Sequence, residues 1–439
     1  MMQAVIMAGG KGTRLREITG DLIPKPMVKI NGKPILQHQI ETLSRQGIKD
    51  YIFIIGYLGE KIREYFGNGS AFGVNINYIE EKQPLGTAGA FSLLPQYLSD
   101  EKFMLVFGDI LFDIDVERME KFHCRHNALA TLFVHPNAHP FDSDIVIFNA
   151  NGQIERFDSK HNVRNYWYKN CVNAGLYIFN SEICKYVPPE TKLDLEKELL
   201  TKLIEEGRPI FAYRSPEYVK DVGTVERIKN AEEALNSGVI AKRNLKNKQR
   251  AIFLDRDGTV TRKNGLVYQE EQLELETCAA EAILAINASG YLAILITNQP
   301  VVARGLCSIE DVEEIHRKLE TLLGKENAYL DEIRFCPHHP DKGYPEENVL
   351  YKIPCHCRKP DIGMLEDCAN AYNIDLKESW IVGDTTVDIQ TGKNAGCNTA
   401  LVLTGEAGND KKYCVKPDFI AKDLKEAVNI ILKNCEVSK

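Results

Sequence analysis

The chain offers no stretch that suits a membrane. Its apolar runs stop far short of the roughly 20 residues a spanning helix needs. The opening MMQAVIMAGG lacks a basic leader and breaks at Gly9 and Gly10, so it does not read as a secretory signal. A basic surplus is missing too. Lysine and arginine number 54 against 62 acidic residues, a net charge of −8, which excludes a chain-wide positive field for nucleic acid. Internal repeats and low-complexity tracts are absent. Together these absences predict a cytoplasmic protein that acts on small molecules, with no nucleic-acid partner and no membrane partner. They leave a homo-oligomer open.

What is present is ordinary globular material. Hydrophobic residues make up 44% and charged residues 26% of 439 positions, enough for two or three domains with cores that need no crosslinks. The 12 cysteines are scattered, which in a large chain without a secretory signal implies a reducing compartment and mostly free, buried thiols. Buried-strand segments such as YIFIIGYLG, FMLVFGDILF and AGLYIF alternate with amphipathic helical stretches in the first half. YLAILITNQ, SWIVGDTT and TALVLTG do the same in the second. The alternation predicts two doubly wound, Rossmann-like α/β domains with parallel sheets. We place the first at residues 1–236, a linker at 237–249 and the second domain at 250–439. The seam carries a basic run from Lys242 to Arg250, read as a solvated helix end or linker.

Each domain opens with a strand that runs into a polar turn. In the first, QAVIM leads into GGKGTRL, where glycines let backbone N–H groups approach phosphates while Lys11 and Arg14 add charge. PKPMV then presents Lys25 between two prolines that stiffen its loop. Asp109, in FGDI, ends an apolar strand, and Asp221, in KDVGT, follows another. Strand ends are where ligands bind in α/β sheets. Two carboxylates reaching one phosphate cluster suit Mg²⁺.

GGKGTRL, PKPMV, PLGTAGA, FGDI, NAG and KDVGT, in that order, resemble the sugar-1-phosphate nucleotidyltransferase family over residues 3–236. The resemblance implies attack of a sugar 1-phosphate on the α-phosphorus of a nucleoside triphosphate, with release of pyrophosphate. It implies that Gly9, Gly10 and Gly12 cradle the nucleotide, that Arg14 holds the triphosphate and that Lys25 bridges the reacting phosphates. Gly86 would approach base and ribose, Asp109 and Asp221 would hold Mg²⁺, and Asn173 and Gly175 would face the sugar. Lys160 fits the family's sugar-phosphate lysine, although Ser159 stands where a glutamate is usual. Gln83 is a candidate base reader, and Asp142 and Asp144 read as solvated loop acids.

In the second half, AIFL leads into DRDGT, whose Asp255 and Asp257 sit two apart at a strand end. One such carboxylate can attack phosphorus while the other protonates the leaving oxygen. ITN, RKP and VGDTTVD follow, and the set resembles the haloacid-dehalogenase (HAD) phosphatases over residues 250–435. The resemblance implies Asp255 as nucleophile and Asp257 as general acid and base. Thr297, Asn298 and Lys359 would hold the phosphoryl oxygens. Asp255, Asp384 and the Asp257 carbonyl would bind Mg²⁺, with Asp388 in support. Ahead of RKP lies C-x-H, sixteen residues, then C-x-C. Cys336, His338, Cys355 and Cys357 make a Cys₃His set suited to closed, structural Zn²⁺ rather than to redox chemistry. Alternate positions on extended chain share a direction, which leaves His339 and His356 out. Zinc would then position Arg358 and Lys359. A loop of this kind resembles the heptose-bisphosphate and histidinol phosphatases, and TNQPVVARG sits closer to the heptose enzymes. Arg304 in that run would grip a second phosphate.

Taken together, the two resemblances imply a bifunctional enzyme: a heptose 1,7-bisphosphate 7-phosphatase joined to a heptose 1-phosphate guanylyltransferase that uses GTP. The alternative is transfer from another nucleotide to a hexose 1-phosphate, joined to a histidinol-phosphatase-like half.

Overall fold

The computed structural model describes residues 2–10, 20, 22–341, 343 and 346–437. Within them the chain forms two compact units. The first holds the chain up to His135 together with Asp144–Ser159 and Val172–Asn244. The second holds Pro136–Ser143, Lys160–Cys171 and Leu245 onward. The two short excursions lie inside the span 1–236 that the sequence suggested as one domain. In the second unit the backbone of Tyr168 exchanges hydrogen bonds with Thr321 Oγ1 at 3.1 and 3.3 Å, and Pro140 packs onto Gly324.

The first unit is built on a nine-stranded sheet. Its centre is parallel. β1 (Gln3–Met7) lies between β2 (Asp50–Ile55) and β4 (Lys102–Phe107), and β3 (Asn75–Glu80) pairs with β2 at the edge. β1 and β2 are apolar almost throughout, as befits strands covered on both faces. Helices α1 (Ile35–Arg45) and α2 (Gly59–Phe66) supply residues such as Leu36, Ile40 and Ile62 to the core on one side.

Beyond β4 the sheet departs from the all-parallel expectation. β9 (Val172–Asn180) runs antiparallel to β4 and to β6 (Ala130–His135), and the hairpin β7–β8 (Ile145–Phe148, Ile154–Asp158) continues that edge. The β7–β8 connection is too short for a crossover helix, which forces the antiparallel pairing there. β10 (Ile210–Arg214) completes the sheet beside β6. A separate antiparallel pair joins β5 (Ile110–Asp113) to β11 (Tyr218–Asp221) and brings the segments after Asp109 and before Val222 side by side. Helix α3 (Val116–Arg125) follows β5, and α4 (Val225–Asn236) follows β11.

The second unit matches the parallel expectation. Its six strands run in the order β14 (Glu332–Cys336), β13 (Tyr291–Asn298), β12 (Arg250–Leu254), β15 (Trp380–Gly383), β16 (Asn398–Val402), β17 (Phe419–Ala421), every pair parallel. Helices α5 (Ala279–Ala288), α6 (Ile309–Lys325), α7 (Gly363–Tyr372), α8 (Thr386–Ala395) and α9 (Leu424–Val437) connect and flank them. The strand order reverses direction at β12, with β13 on one side and β15 on the other. The carboxyl ends of these strands therefore open onto one crevice, the usual ligand position in such sheets. No helix among the described residues is long and apolar enough to cross a membrane.

Candidate active sites

In the first unit a cavity of about 420 Å³ opens at the carboxyl ends of β1 and β4, lined by Gly9, Gly10, Lys25, Glu81, Gly86 and Asp109, among others. Gly12 and Arg14 lie outside the described residues. Lys25 is buried in a tight turn that starts at Pro24, and its ammonium pairs with Asp109. Gly86 has φ +79°, and a Cβ there would lie 2.5 Å from the Leu193 carbonyl oxygen, so this turn accepts only glycine.

Asp221 sits across the β5–β11 pair, and Val222 N donates to Asp109 O at 2.9 Å. Burial pushes its pKa up, but the Arg227 guanidinium gripping both oxygens, with Lys25 nearby, holds it below the usual carboxylate value. Asp109 and Asp221 thus lie on adjoining chain segments, and each carboxylate is paired with a cation, Asp109 with Lys25 and Asp221 with Arg227.

Asn173 and Gly175 lie on β9. Asn173 Nδ2 donates to Tyr177 Oη at 2.6 Å and to Glu196 Oε1 at 3.0 Å, while Tyr177 Oη donates to Glu196. Burial raises the pKa of Glu196. Lys160 belongs to the second unit, where its Nζ lies 3.2 Å from Asp142 Oδ1 on the surface. Gln83 is not part of the cavity lining, whereas Glu81 is. Glu81 accepts from Leu85 N at 3.2 Å, and burial raises its pKa. Sequence reasoning passed over Glu81 and Glu196. Glu81 follows the end of a parallel strand, a signal that points to ligands; Glu196 had no local signal.

In the second unit, Asp255, Asp257, Thr297, Lys359 and Asp384 converge at the ends of β12, β13 and β15. Lys359 Nζ lies 2.6 Å from both Asp255 Oδ1 and Asp388 Oδ1 and donates to Ile296 O at 3.0 Å. Burial alone would lower the pKa of Lys359, but the two carboxylates raise it, so it is a fixed cation. Burial pushes Asp255 up to about 6 against Lys359, and burial with the neighbouring Asp255 and Asp388 pushes Asp384 up to about 8. One carboxylate oxygen from each of Asp255, Asp384 and Asp388 falls within a 4.8 Å group. Asp384 Oδ2 accepts from Glu406 N at 2.7 Å, whereas its buried Oδ1 lacks a hydrogen-bond partner.

Crowded carboxylates with an orphaned buried oxygen fit a divalent cation. Asp388 is occupied otherwise: besides binding Lys359, it closes a capping box with Thr385 at the start of α8. Gly258 has φ +92°, and a Cβ there would lie 2.4 Å from Asp384 Oδ2, so the aspartate approaches bare backbone. Thr297 is buried and its Oγ1 accepts from Gln299 Nε2 at 2.9 Å. The Asn298 side chain has another task than the one its motif suggested. Its Oδ1 and Nδ2 bond the backbone N and O of Lys359, each at 3.0 Å, and clamp the lysine in place.

Cys336, His338, Cys355 and Cys357 gather into one cluster. Cys357 Sγ lies 3.0 Å from Cys336 Sγ and 3.4 Å from Cys355 Sγ, and His338 Nδ1 lies 3.3 Å from Cys357 Sγ. Such separations exceed the roughly 2.05 Å of a disulfide. They suit four ligands around one ion. The hydrogen bond between Cys336 and Cys357 raises the pKa of the first and draws the second down to about 5, the thiolate character metal binding needs. His356 instead pairs with Glu366 at 2.7 Å on the surface, and His339 is likewise outside the cluster. Cys336 ends β14 in register with Asn298, and Arg358 Nη1 donates to His338 O at 3.0 Å. The loop thus carries Arg358 and Lys359 toward the strand end. Arg304 lies in electrostatic reach of Arg358, whose pKa is lowered by burial and by that neighbour.

Comparison with known proteins finds a family for each unit. The nucleotidyl transferase family matches residues 3–238, and the HAD-hydrolase-like family matches 356–427. A D-glycero-alpha-D-manno-heptose 1-phosphate guanylyltransferase of Aneurinibacillus thermoaerophilus is 32% identical over 53% of this chain and 98% of its own length. A D-glycero-D-manno-heptose-1,7-bisphosphate 7-phosphatase of Thermosynechococcus vestitus is 37% identical over 41% of this chain and 94% of its own. A mannose-1-phosphate guanylyltransferase catalytic subunit beta of Danio rerio is 34% identical over 51% of this chain, which spans 61% of that relative's length. With its loop-bearing pocket at one sheet and its aspartate–lysine crevice at the other, the chain belongs to the nucleotidyl transferase family through its first unit, and through its second to the HAD-like hydrolases.

Proposed function

We propose that the chain is a bifunctional enzyme of activated-heptose synthesis. Its second unit removes the 7-phosphate from D-glycero-D-manno-heptose 1,7-bisphosphate. Its first unit transfers GMP from GTP to the heptose 1-phosphate that remains, giving GDP-heptose and pyrophosphate. The observation that carries this reading is that two relatives, each matched over 94% or more of its own length, bear names for consecutive steps on one sugar.

In the phosphatase unit, Asp255 attacks the 7-phosphorus and the ester P–O bond breaks toward the sugar. Asp257 gives its proton to the leaving oxygen, then takes one from the water that hydrolyses the aspartyl phosphate. Lys359 and Thr297 hold the phosphoryl oxygens, Asn298 holds Lys359, and Arg304 with Arg358 grips the sugar's other phosphate. In the transferase unit the chemistry is positioning. Gly9, Gly10 and Gly12 take the nucleotide, Arg14 the triphosphate, Lys25 the reacting phosphates, and Asn173 and Gly175 the sugar. Gly86 leaves room for the base and ribose. Glu81 faces the guanine edge, whose N1–H and amino group are paired donors for a carboxylate. Asp109 and Asp221 in one unit, and Asp255, Asp384 and the Asp257 carbonyl in the other, would hold magnesium, which would supply neutralising charge to the phosphates. Cys336, His338, Cys355 and Cys357 would hold zinc, which would fix the loop that carries Arg358 and Lys359.

The test supplies heptose 1-phosphate with each nucleoside triphosphate in turn and follows pyrophosphate. Pyrophosphate with GTP far above the others supports the transferase reading, and equal or greater release with UTP, CTP or dTTP overturns the guanine assignment.

A further inference from the structure

Arg256, between the two catalytic aspartates, is fully buried and is among the largest fully buried side chains of the described residues. A buried guanidinium is costly unless its donors are answered. Here they are answered by one constellation. Nε donates to Asp257 Oδ1 and Nη2 to Asp257 Oδ2, both at 2.9 Å, a planar fork on a planar carboxylate. Nη2 also donates to Gln299 Oε1 at 2.9 Å. Nη1 faces His316 Nε2 at 3.3 Å, which makes that nitrogen the acceptor and the imidazole neutral. Gln299 closes the ring. Its amide nitrogen donates to Asp257 Oδ2 at 3.1 Å and to Thr297 Oγ1 at 2.9 Å. Thr261 Oγ1 supplies a further bond to Asp257 Oδ1 at 3.2 Å.

Every oxygen of Asp257 is therefore held, and every holder except Thr261 belongs to one network that ends at Thr297. Burial of Asp257 favours its neutral form, yet Arg256 more than offsets this and keeps the carboxylate in its basic form. His316, on α6, has its pKa lowered to about 3 by burial and then by Arg256, so it adds no competing charge.

We infer that Arg256, with Gln299 and His316 behind it, is a positioning residue of the phosphatase site that sets the orientation of Asp257 and ties it to the phosphoryl-binding Thr297. The inference rests on the proposed phosphatase reading. The step it serves is acceptance of a proton by the Asp257 carboxylate from the water that breaks the aspartyl phosphate's O–P bond; the same proton passes to the sugar oxygen that leaves in the following turnover, which restores the carboxylate. A misdirected carboxylate slows both, while substrate binding, which runs through Lys359 and the loop cations, is left alone. A packing role would instead lower folded protein and affect any reaction at this crevice.

The test is a double-mutant cycle on the full chain with ³²P-labelled heptose 1,7-bisphosphate. Arg256→Lys keeps the charge and removes the fork; Gln299→Leu, a milder change, guards against a misfolded lysine variant. Each is made alone and with Asp257→Asn, and near-UV circular dichroism and melting temperature are recorded. We expect kcat to fall about 10²-fold in Arg256→Lys and about 10-fold in Gln299→Leu with KM within twofold, and neither change to lower the residual rate of Asp257→Asn further. Unchanged kcat in a folded single variant, or a full additional loss in the Asp257→Asn background, would overturn the inference. Absence of phosphate release by the wild-type chain would overturn the phosphatase reading itself.

Discussion

At the scale of single residues, the two sites treat their charges differently. Lys359 is buried and shared by Asp255 and Asp388 at 2.6 Å each, so it offsets part of the burial that raises the pKa of the nucleophile, which still stands at about 6. Lys359→Met should lower phosphate release about 10³-fold with the transferase rate unchanged, measured as orthophosphate and pyrophosphate from the same preparation. In the first unit, Glu81 lines the cavity and is the residue we propose for reading the base. Glu81→Gln removes one acceptor from a guanine edge that offers two donors, and kcat/KM for GTP should fall about 10- to 100-fold, with a smaller loss for UTP. Equal losses for both would remove Glu81 from base reading. The difference between Lys359 and Glu81 also marks what the sequence discloses. Lys359 stands in a short, recognisable RKP beside a metal-like cluster. Glu81 is one of two adjacent acids in EEKQP, and which of them turns inward depends on the strand register.

At the scale of elements, the fate of the Cys₃His loop and of α3 can be read separately. Residues 336, 338, 355 and 357 were legible because alternate spacing on extended chain is rare for cysteine and histidine together. That the same loop would order Arg358 through the His338 carbonyl was not, since it depends on a backbone contact. The purified chain should carry about one zinc per molecule by elemental analysis. Stripping it with a chelator, or Cys355→Ser, should lower the phosphatase kcat at least about 10-fold and leave pyrophosphate release intact.

On α3, His123 is packed against Thr131 of β6 at 2.9 Å, and burial, then Lys102, lowers its pKa from 6.5 to about 4. The folded chain therefore binds fewer protons than the unfolded chain between those values. The stability of the first unit should be flat above pH 6.5 and decline as pH falls from 6.5 toward 4, by at most about 1.4 kcal/mol per pH unit from this group. Urea unfolding followed against pH should show this slope, and His123→Leu should reduce it.

At the scale of the whole molecule, the parallel six-stranded unit was readable from apolar runs alternating with helices. The antiparallel edge of the first unit was not, because ALATLFVHP and AGLYIF look equally apolar whichever way they run. Only in the β7–β8 hairpin does a connection too short to cross over fix the direction. The excursions 136–143 and 160–171 were also hidden, since nothing local distinguishes a loop that packs on its own sheet from one that packs on another unit. That is why Lys160 was expected at the sugar and is found paired with Asp142.

The central claim is that two chemistries act in order on one sugar. The most direct measurement gives the purified chain Mg²⁺, GTP and D-glycero-D-manno-heptose 1,7-bisphosphate and follows orthophosphate and pyrophosphate independently, alongside Asp255→Asn and Asp109→Asn. The account predicts orthophosphate first and pyrophosphate after it in the wild type. Asp255→Asn should release neither from the bisphosphate, yet should still release pyrophosphate when given heptose 1-phosphate. Asp109→Asn should release orthophosphate alone. Pyrophosphate without prior orthophosphate, or loss of both products from either single change with all substrates, would contradict it.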